Sequence, residues 1–363
     1  MGILKSGIHC LALFKDKDEE RDMFQHYSSV FAVMEPRNLM DMFSMCMPHL
    51  FECMINNNQL LQIFSTLLQT PKVVRHFADV LVNFLVASKL ELLKQPDSPP
   101  AKLVLQLFRY LFVAVAKSQG DCERVLQPHI TTLMETCIKC ATEVEKPEGY
   151  MQLLRTMFLS LSSGKFELLF REFIPYLQPC LNMLLAMLEG PTGIEMIDLV
   201  VELCLIMPAR LSSLLPHLPK LMKPLVLALK GSEELVGLGL RTLELWIDSL
   251  NPDFLEPSMA KVMSELILTL WTHLRPKPYP WGAKALQLLG KLGGRNRRFL
   301  KEPLALDCKE NPEHGLRLIL TFEPTTSFLV PLDRCIYLAR TAVMQPQPGV
   351  ESFYRKHALK FLR

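Results

Sequence analysis

The sequence predicts an all-α fold in which antiparallel helix pairs stack along the chain, and two observations support this prediction. The first is composition: 49% of the 363 residues are hydrophobic, 19 are Met and only 16 are Gly. Straight apolar side chains such as Leu and Met lose little rotamer freedom in a helix, so this composition favours helices over strands. The second observation is an internal repeat.

The repeat is marked by prolines that each precede the same apolar pattern. Positions +2, +5, +6 and +9 after each proline are apolar, with Asn57 as the exception, and this is the spacing of one helix face. Proline fits the first turn of a helix, where an N–H has no intrahelical partner, so we expect each proline to begin a helix. The prolines are 80, 47, 41 and 41 residues apart, and 80 is two periods of about 40: Pro48, Pro128, Pro175, Pro216 and Pro257.

A second apolar series follows the later prolines. The segments LLRTMFLSL, IDLVVELCL, GLRTLELWI and ALQLLGKLG begin to match at Leu154, Ile197, Leu240 and Ala285, at intervals of 43, 43 and 45 residues. Two helices in about 43 residues is the period of HEAT and armadillo arrays, whose helices bury their apolar faces only by stacking on neighbours. The sequence therefore predicts a HEAT/armadillo-like α-solenoid.

The regularity of this pattern divides the chain into four parts. Residues 1–94 are predicted to form N-terminal HEAT-like helices, 95–100 a proline-rich loop, and 101–300 the regular repeats. Residues 301–363 are expected to be a less regular helical part, truncated because the chain ends inside the helical pattern ESFYRKHALKFLR. Within it, HGLRLILTF is compatible with a short helix or an extended chain, and helices are expected at about Pro331–Val343 and Val350–Arg363.

Charge and cysteine usage narrow the class of protein. The net charge of +3 is too small to indicate a nucleic-acid or membrane partner, and no run reaches 18 uncharged apolar residues. The ten cysteines lie in apolar runs such as MCMPHLFECM, which indicates buried, reduced thiols rather than a disulfide framework. The start, MGILKS, fits an N-myristoylation pattern at Gly2 and Ser6, but we favour an arbitrary start of a fragment.

The candidate catalytic and metal-binding residues fit a structural role better. Cys137 and Cys140 have CxxC spacing, but no second ligand pair exists and Cys137 falls on the apolar stripe. His49, His129 and His217 follow repeat prolines, at a position where other repeats carry Tyr or Ser. GxSxG is absent, and GKLGG fits neither a P-loop nor a dinucleotide fingerprint. We therefore expect no enzyme activity, no metal and no cofactor.

A basic cluster is the strongest candidate for a binding surface. From Thr272 to Glu302 there are eight basic residues and one acidic residue. Lys291 is expected on the solvent face of a helix that ends at Gly293–Gly294. The cluster is either a solvated rim or a docking surface for an acidic segment or another subunit; direct nucleic-acid binding is disfavoured because it needs many phosphate contacts. The candidate partner-binding residues are Arg275, Lys277, Tyr279, Trp281, Arg295, Arg297 and Arg298.

The segment from Arg210 to Phe299, RLSSLLPHLPKLMKPLVLAL through LLGKLGGRNRRF, is more specific than a generic repeat. Together with flanks such as SGIHCLALFKDKDEERDMFQHYSSVF, it resembles the N-terminal HEAT solenoid of the transcription-associated pseudokinases of the phosphatidylinositol-3-kinase-related family. The resemblance implies a nuclear, non-catalytic scaffold of histone acetyltransferase coactivator complexes that binds acidic activation domains and complex subunits at chromatin.

The chain shows no sign of the FAT or kinase-like regions of that family, so the resemblance extends only to the solenoid's share of the role. No small-molecule substrate and no membrane are implied. The alternative is a HEAT-repeat nuclear transport or cargo adaptor. It is disfavoured because the three tryptophans, Trp246, Trp271 and Trp281, form no repeating ladder.

Overall fold

The computed structural model consists of two compact units, Met1–Arg210 and Leu211–Arg363. Each unit contains antiparallel helices that stack in two layers. The residues that the structure describes are 2, 6, 7, 10, 17–118, 122–162, 166–190, 193–208, 210–274, 279–296, 307–311, 315–323 and 326–331.

In the first unit, α4, α6 and α8 pack side by side in one layer, and α5, α7 and α10 pack side by side in the other. Short 3-10 turns at Asn58–Leu60, Leu90–Lys94 and Ile174–Tyr176 separate some of the helices. The helices are α1 Lys17–Ala32, α2 Pro36–Asn56, α3 Leu61–Gln69, α4 Val74–Ser88, α5 Pro99–Lys117, α6 Glu123–Glu143, α7 Glu148–Leu161, α8 Glu167–Phe173, α9 Leu177–Glu189 and α10 Ile194–Ile206.

In the second unit, α12 packs against α13, α14 and α15, and α16 packs against α13 and α15. A 3-10 turn at Leu215–His217 joins α11 to α12. The helices are α11 Leu211–Leu214, α12 Leu218–Lys230, α13 Glu233–Ser249, α14 Pro252–Ala260, α15 Met263–Thr272 and α16 Gly282–Asn296. An antiparallel sheet of order β1-β2-β3 follows, with β1 Asp307–Asn311, β2 Gly315–Glu323 and β3 Thr326–Pro331.

The apolar stripes form the core, which confirms the predicted all-α solenoid class. After Pro128, Pro175 and Pro216, all four stripe positions are at most 5% exposed. In the second series, Leu154 and Ala285 are fully buried. Burying a side chain the size of Leu stabilises the folded state by roughly 1.5–3 kcal/mol, so these repeated positions hold the helix pairs together.

The repeat prolines do not begin helices, so that prediction was wrong. Pro48, Pro128 and Pro257 lie inside α2, α6 and α14, whereas Pro175 and Pro216 lie in the 3-10 turns before α9 and α12. Helical turns precede each of them. Proline lacks an N–H and its ring clashes with the preceding turn, so a proline at these positions interrupts or bends a helix that has already begun.

The proline-rich loop predicted at 95–100 is shorter than expected because α5 begins at Pro99. The Ser98 hydroxyl accepts a hydrogen bond from the Ala101 N–H at 3.4 Å, and Pro99 and Pro100 occupy the first turn, where proline is tolerated. By length and apolar composition, α5 is the one helix in the described part of the chain that meets the criteria for crossing a membrane. However, 56% of the apolar stretch of this helix is buried inside the fold. The helix is therefore apolar because it forms part of the core.

The segment HGLRLILTF, for which helix and extended chain were both open, contributes strand β2. Leu318 of β2 lies opposite Cys308 of β1 on one side and Val330 of β3 on the other. Alternating apolar residues such as those of LRLILTF suit a strand, whose side chains point to opposite faces in turn. The three strands thus replace helix within the part predicted as 301–363. Beyond Pro331, the helices expected at 331–343 and 350–363 lie outside the described residues.

Candidate protein-binding surfaces

Polar contacts connect helices of neighbouring repeats within each unit. The paired residues are separated by 41 to 48 positions in the sequence, which matches the predicted period of about 43. These contacts fix the positions of the paired helices through hydrogen bonds as well as through the apolar core. These inter-repeat pairs are Ser160–Phe112, Arg155–Glu202, Glu135–Tyr176, Glu167–Arg210, Glu123–Leu168, Leu229–His273 and Asp248–Lys291.

Glu123 shows how such a contact works. Its Oε1 atom accepts hydrogen bonds from the backbone N–H groups of Leu168 at 2.6 Å and Leu169 at 3.3 Å, in the first turn of α8. These N–H groups have no intrahelical partner, and the helix N-terminus carries partial positive charge, so a carboxylate stabilises it. The sequence did not indicate this role, because the capping group lies about one repeat away from the helix that it caps.

Most of the predicted partner-binding residues lie where side chains are not described. Arg275, Lys277, Arg297 and Arg298 fall outside the described residues. Arg295 belongs to the backbone of α16, and its side chain also lies outside the described part of the structure. Their role in partner binding therefore stays a prediction, whereas Tyr279 and Trp281 can be placed.

Tyr279 is half-buried and engaged within the second unit rather than projecting from an exposed loop. Its hydroxyl lies 2.6 Å from Nδ1 of His273, and the two rings are stacked with centroids 6.0 Å apart. His273 is 6% exposed, and its Nε2 lies 2.6 Å from the Leu229 carbonyl. Because a carbonyl only accepts, Nε2 carries the hydrogen, so in the neutral imidazole Nδ1 accepts from the tyrosine hydroxyl. The chain that follows α15 is thereby attached to the end of α12.

Trp281 is also half-buried. Its ring lies against Gly237 of α13 so closely that a Cβ atom at that glycine would be 2.5 Å from the ring. The glycine therefore provides the space that the indole occupies. Trp281 contributes to the packing of α16 on α13, so only the exposed edge of its ring is accessible to a partner.

Two lysines of the basic cluster are paired inside the fold, although Lys291 was predicted to face solvent. Lys291 Nζ lies 2.7 Å from Oδ2 of Asp248 and 3.3 Å from Oε1 of Glu244. Lys284 forms an ion pair with Glu244. Burial alone would raise the pKa of Glu244, but the hydrogen bonds and charges of the two lysines outweigh burial and hold the pKa below its usual value. The cluster is therefore less positive than its sequence indicates.

The predicted helix stop at Gly293–Gly294 was wrong, because α16 continues to Asn296. Glycine in a helix costs about 1 kcal/mol relative to alanine. The apolar face of α16, formed by Ala285, Leu288 and Leu289, is buried as predicted. Helices in proteins gain most of their stability from such packing, and here it outweighs the cost of the glycines.

The two units carry grooves of different charge. In the second unit, a groove of about 680 Å³ between α12 and α15 is lined by Glu233, Glu265 and Lys230, with Lys230 paired to Glu265. In the first unit, a groove of about 390 Å³ between α5 and α7 is lined by three basic and two acidic side chains. This second surface, the basic groove, consists of Lys102, Arg109, Lys146, Asp97 and Glu148 with the polar residues between them.

The sequence did not predict the basic groove. Lys102 and Arg109 belong to α5, whereas Lys146 lies just before α7. No short window of the sequence contains all three, so the groove leaves no local charge cluster. The repeat period gave no signal either, because Lys146 follows Lys102 by 44 residues but lies before its helix rather than inside it.

The cysteine positions confirm the core interpretation of the CxxC segment. Cys137 is fully buried and Cys140 is 4% exposed. Burial raises the pKa of the Cys137 thiol and raises the pKa of both Cys180 and Cys204 to about 12. The eight cysteines whose side chains the structure describes form no disulfide. Within the described residues, no three His, Cys, Asp or Glu side chains are grouped as a metal site.

The histidines next to the repeat prolines show no catalytic arrangement. Burial lowers the pKa of His129, with Asp79 acting in the opposite direction, and burial and Lys220 together lower the pKa of His217. His49 Nε2 lies 3.7 Å from the sulfur of Cys53, one helical turn away. The described surfaces thus offer grooves and charges suited to binding.

Stacked helix pairs with contacts repeated every 41 to 48 residues define a HEAT-repeat solenoid. Comparison with known families then identifies which family of HEAT-repeat proteins the chain belongs to. Residues 2–277 match the family described as the Tra1 HEAT repeat central region, and residues 287–363 match the Tra1 HEAT repeat ring region. The chain belongs to the Tra1 HEAT-repeat family, which confirms the resemblance.

Several full-length relatives are similar across nearly the whole chain. The human transformation/transcription domain-associated protein is 34% identical over 95% of this chain. Transcription-associated protein 1 of Drosophila melanogaster is 36% identical over 97% of it. The SAGA complex/NuA4 acetyltransferase complex subunit TRA1 of Saccharomyces cerevisiae is 34% identical over 95% of it. In each case the chain spans only 9% of the relative's length.

Proposed function

We propose that this chain is a non-catalytic scaffold segment of a nuclear transcriptional coactivator, of the histone acetyltransferase complex class, that binds complex subunits and acidic activation domains. The observation that carries the proposal is the series of polar contacts between successive repeats. Such contacts keep the helix pairs in register, and a solenoid in register presents an extended surface of fixed geometry. The names of the relatives, which include a SAGA/NuA4 acetyltransferase complex subunit, support the class of assembly.

The basic cluster supports an acidic partner. With Lys284 and Lys291 paired inside the fold, the cations left to the proposed docking surface are those at 275, 277, 295, 297, 298 and 301. Acidic, disordered segments order only on binding, and a positive surface raises their rate of encounter in a salt-dependent way. Tyr279 and Trp281, which follow the first of these cations in the sequence, contribute the exposed edges of half-buried rings.

The position of the other tryptophans favours a scaffold over a nuclear transport adaptor. Trp246 is 2% exposed and Trp271 is 6% exposed. Both belong to the core of the second unit, so neither is available as a step of an exposed ladder that could hold an extended cargo.

Affinity purification of the tagged protein from nuclear extract, followed by mass spectrometry, tests the class of assembly. We expect acetyltransferase complex subunits to be enriched over an unrelated HEAT-repeat protein. Recovery of a small GTPase or a transport cargo in place of those subunits would contradict the scaffold and favour the adaptor.

A second experiment tests the docking surface. We expect Arg295→Glu, Arg297→Glu and Arg298→Glu together to weaken capture of an acidic partner or a neighbouring subunit at low salt. The matched control introduces the same change of charge at Lys72, Lys139 and Lys223, which are exposed and distant in sequence from the cluster. Equal capture by both variants and the unchanged protein would remove this surface from consideration.

A further inference from the structure

The basic groove differs from the ion-paired contacts between neighbouring repeats because the fold does not use its cations. Arg155, Lys284 and Lys291 each form an ion pair with a helix of a neighbouring repeat. In contrast, Lys102, Arg109 and Lys146 are exposed and line one groove, and their side chains form no ion pair or hydrogen bond with a described residue. Their charge is therefore available to a ligand.

The walls of the groove are held in place at both ends. Near α7's N-terminus, Gly149 approaches Leu105 of α5 so closely that a Cβ atom there would lie 2.7 Å from the leucine Cδ1. At the other end of the helix pair, the Ser160 hydroxyl donates a hydrogen bond to the Phe112 carbonyl at 3.0 Å. The groove is thus preformed, which reduces the entropy lost when a ligand binds.

The same helix pair exposes apolar side chains beyond the groove. Val113 of α5 is 41% exposed and Leu159 of α7 is 47% exposed, and each is the neighbour in sequence of a residue in the Ser160–Phe112 hydrogen bond. Lys102, Arg109 and Val113 share one face of α5, since they are spaced i, i+7 and i+11. This face runs for roughly 16 Å from the first of these residues to the last.

We propose that the basic groove, together with Val113 and Leu159, binds an acidic peptide segment that also carries apolar side chains. The three cations would attract the carboxylates, and the exposed valine and leucine would take the apolar residues. An extended peptide rises about 3.3 Å per residue, so about five residues cover this face. The contact is therefore suited to a short segment.

A nucleic acid fits the groove less well. Asp97 and Glu148 lie among the three cations, and they repel a backbone that carries one negative charge at every phosphate. A peptide can place neutral residues opposite these carboxylates and acidic residues opposite the cations. In addition, Val113 and Leu159 give apolar peptide side chains a place to bind.

The assignment of the basic groove rests on the proposed function only for the chemical class of partner, an acidic peptide. The basic groove lies in the first unit, whereas the docking residues predicted from the sequence lie in the second unit. A direct binding assay with a synthetic peptide separates the two ideas. Such binding does not depend on membership of any complex, and co-purification of subunits does not depend on this groove.

The test measures fluorescence anisotropy of a labelled peptide containing four Asp-Asp-Leu units, titrated with the 363-residue chain at low salt. Replacing Lys102, Arg109 and Lys146 by Gln should weaken binding about tenfold or more, since three charge-assisted contacts are lost. Val113→Ser with Leu159→Ser should weaken it about three- to tenfold through lost apolar burial. A peptide of Asp-Asp-Ser units should bind the unchanged protein more weakly by a similar factor.

The matched control replaces Lys72, Lys139 and Lys223 by Gln, which changes the net charge equally at exposed sites outside the groove. We expect it to bind like the unchanged protein, and circular dichroism melting curves should be the same for all variants. Equal loss in the control and groove variants, or no loss in either, would overturn the proposal. Tighter binding of a twelve-residue oligo-dT that is lost in the groove variant would assign the groove to nucleic acid instead.

Discussion

Two helix pairs in this chain occupy the same place in the repeat but use their charges differently. In the first unit α5 packs on α7, and in the second unit α13 packs on α16; each pair joins the second helices of adjacent repeats. The α13–α16 pair is held by two lysines and two carboxylates. The α5–α7 pair is held by a hydroxyl–carbonyl hydrogen bond and a close glycine–leucine contact.

The comparison shows that the neighbouring helix, more than the local sequence, decides what a lysine on a repeat helix does. Lys291 lies in the most basic segment of the sequence, yet it is paired with Asp248. Lys102 lies in a segment of ordinary charge, yet it is unpaired within the described residues and lines a groove. Variants of contacts between repeats in the two units test whether this difference holds in solution.

The largest expected effect comes from His273→Ala in the second unit. The Leu229 carbonyl and the Tyr279 hydroxyl lose their contact with the buried imidazole, and each unsatisfied buried group costs about 1–3 kcal/mol. We expect the free energy of unfolding to fall by about 3 kcal/mol. Ser160→Ala, the comparable change in the first unit, should cost about 1 kcal/mol because the hydroxyl that contacts the Phe112 and Thr156 carbonyls is lost.

Urea unfolding measures both changes. All three tryptophans lie in the second unit, so their fluorescence reports that unit, while circular dichroism reports both. A loss below about 1 kcal/mol for His273→Ala would show that the contact with Leu229 and Tyr279 contributes little in solution.

The next effect concerns the glycines that allow close packing. Gly237→Ala places a methyl group against the Trp281 ring, and overpacking of this kind costs about 1–3 kcal/mol. The gain in helix propensity of about 1 kcal/mol offsets part of this, so we expect a net loss of about 1 kcal/mol and a red shift of tryptophan emission. Gly149→Ala meets only the flexible end of Leu105 and should change stability little. Equal stabilisation by both substitutions would contradict the close contact at Gly237.

The third prediction concerns Glu244, which forms ion pairs with two lysines, Lys284 and Lys291. Glu244→Gln should lower the free energy of unfolding at pH 7 by about 1 kcal/mol, since the pairs are only partly exposed. The folded-state pKa of Glu244 is depressed. The stability it contributes is therefore present above the usual carboxyl pKa of about 4.5 and is lost as pH falls through the folded value.

Urea midpoints between pH 7 and pH 3 measure this dependence, with tryptophan fluorescence following the second unit and circular dichroism following both units. The variant should have a flatter profile than the unchanged protein in the acid range. Glu202→Gln in the first unit is the matched change, with Arg155 as its partner at 2.8 Å, and should cost about 0.5 kcal/mol. Equal losses for the two variants would show that the ion pair between α7 and α10 stabilises its unit as much as the ion pairs of Glu244 stabilise theirs.

The last prediction concerns the rate at which cysteines are labelled, which requires no substitution and reports the unfolding of the first unit. Cys180 and Cys204 are buried there, and burial raises the pKa of each to about 12. Since the thiolate is the nucleophile, iodoacetamide at pH 8 should label exposed Cys10 well before these two. Peptide mass spectrometry at increasing urea should show Cys180 and Cys204 labelled as the first unit unfolds. Labelling as fast as Cys10 in native buffer would contradict their burial.

Most of the fold could be predicted from local patterns. The repeat period, the buried stripes after Pro128, Pro175 and Pro216 and the core position of Cys137 all follow from spacing that a single helix imposes on its own residues. The prolines were placed wrongly because both the start and the interior of a bent helix tolerate them in a repeat protein. The strands were not predicted because HGLRLILTF fits either structure over so short a length.

By itself, the sequence determined that the chain forms stacked helix pairs of about 43 residues, and which residues form the core, because periodic burial is a property of each helix. The tertiary structure alone decided which charges are neutralised and which remain available. Lys284 and Lys291 meet carboxylates of α13, whereas Lys102, Arg109 and Lys146 meet none among the described residues. Coulomb attraction depends on distance in space, and the partners here lie about one repeat apart in the sequence.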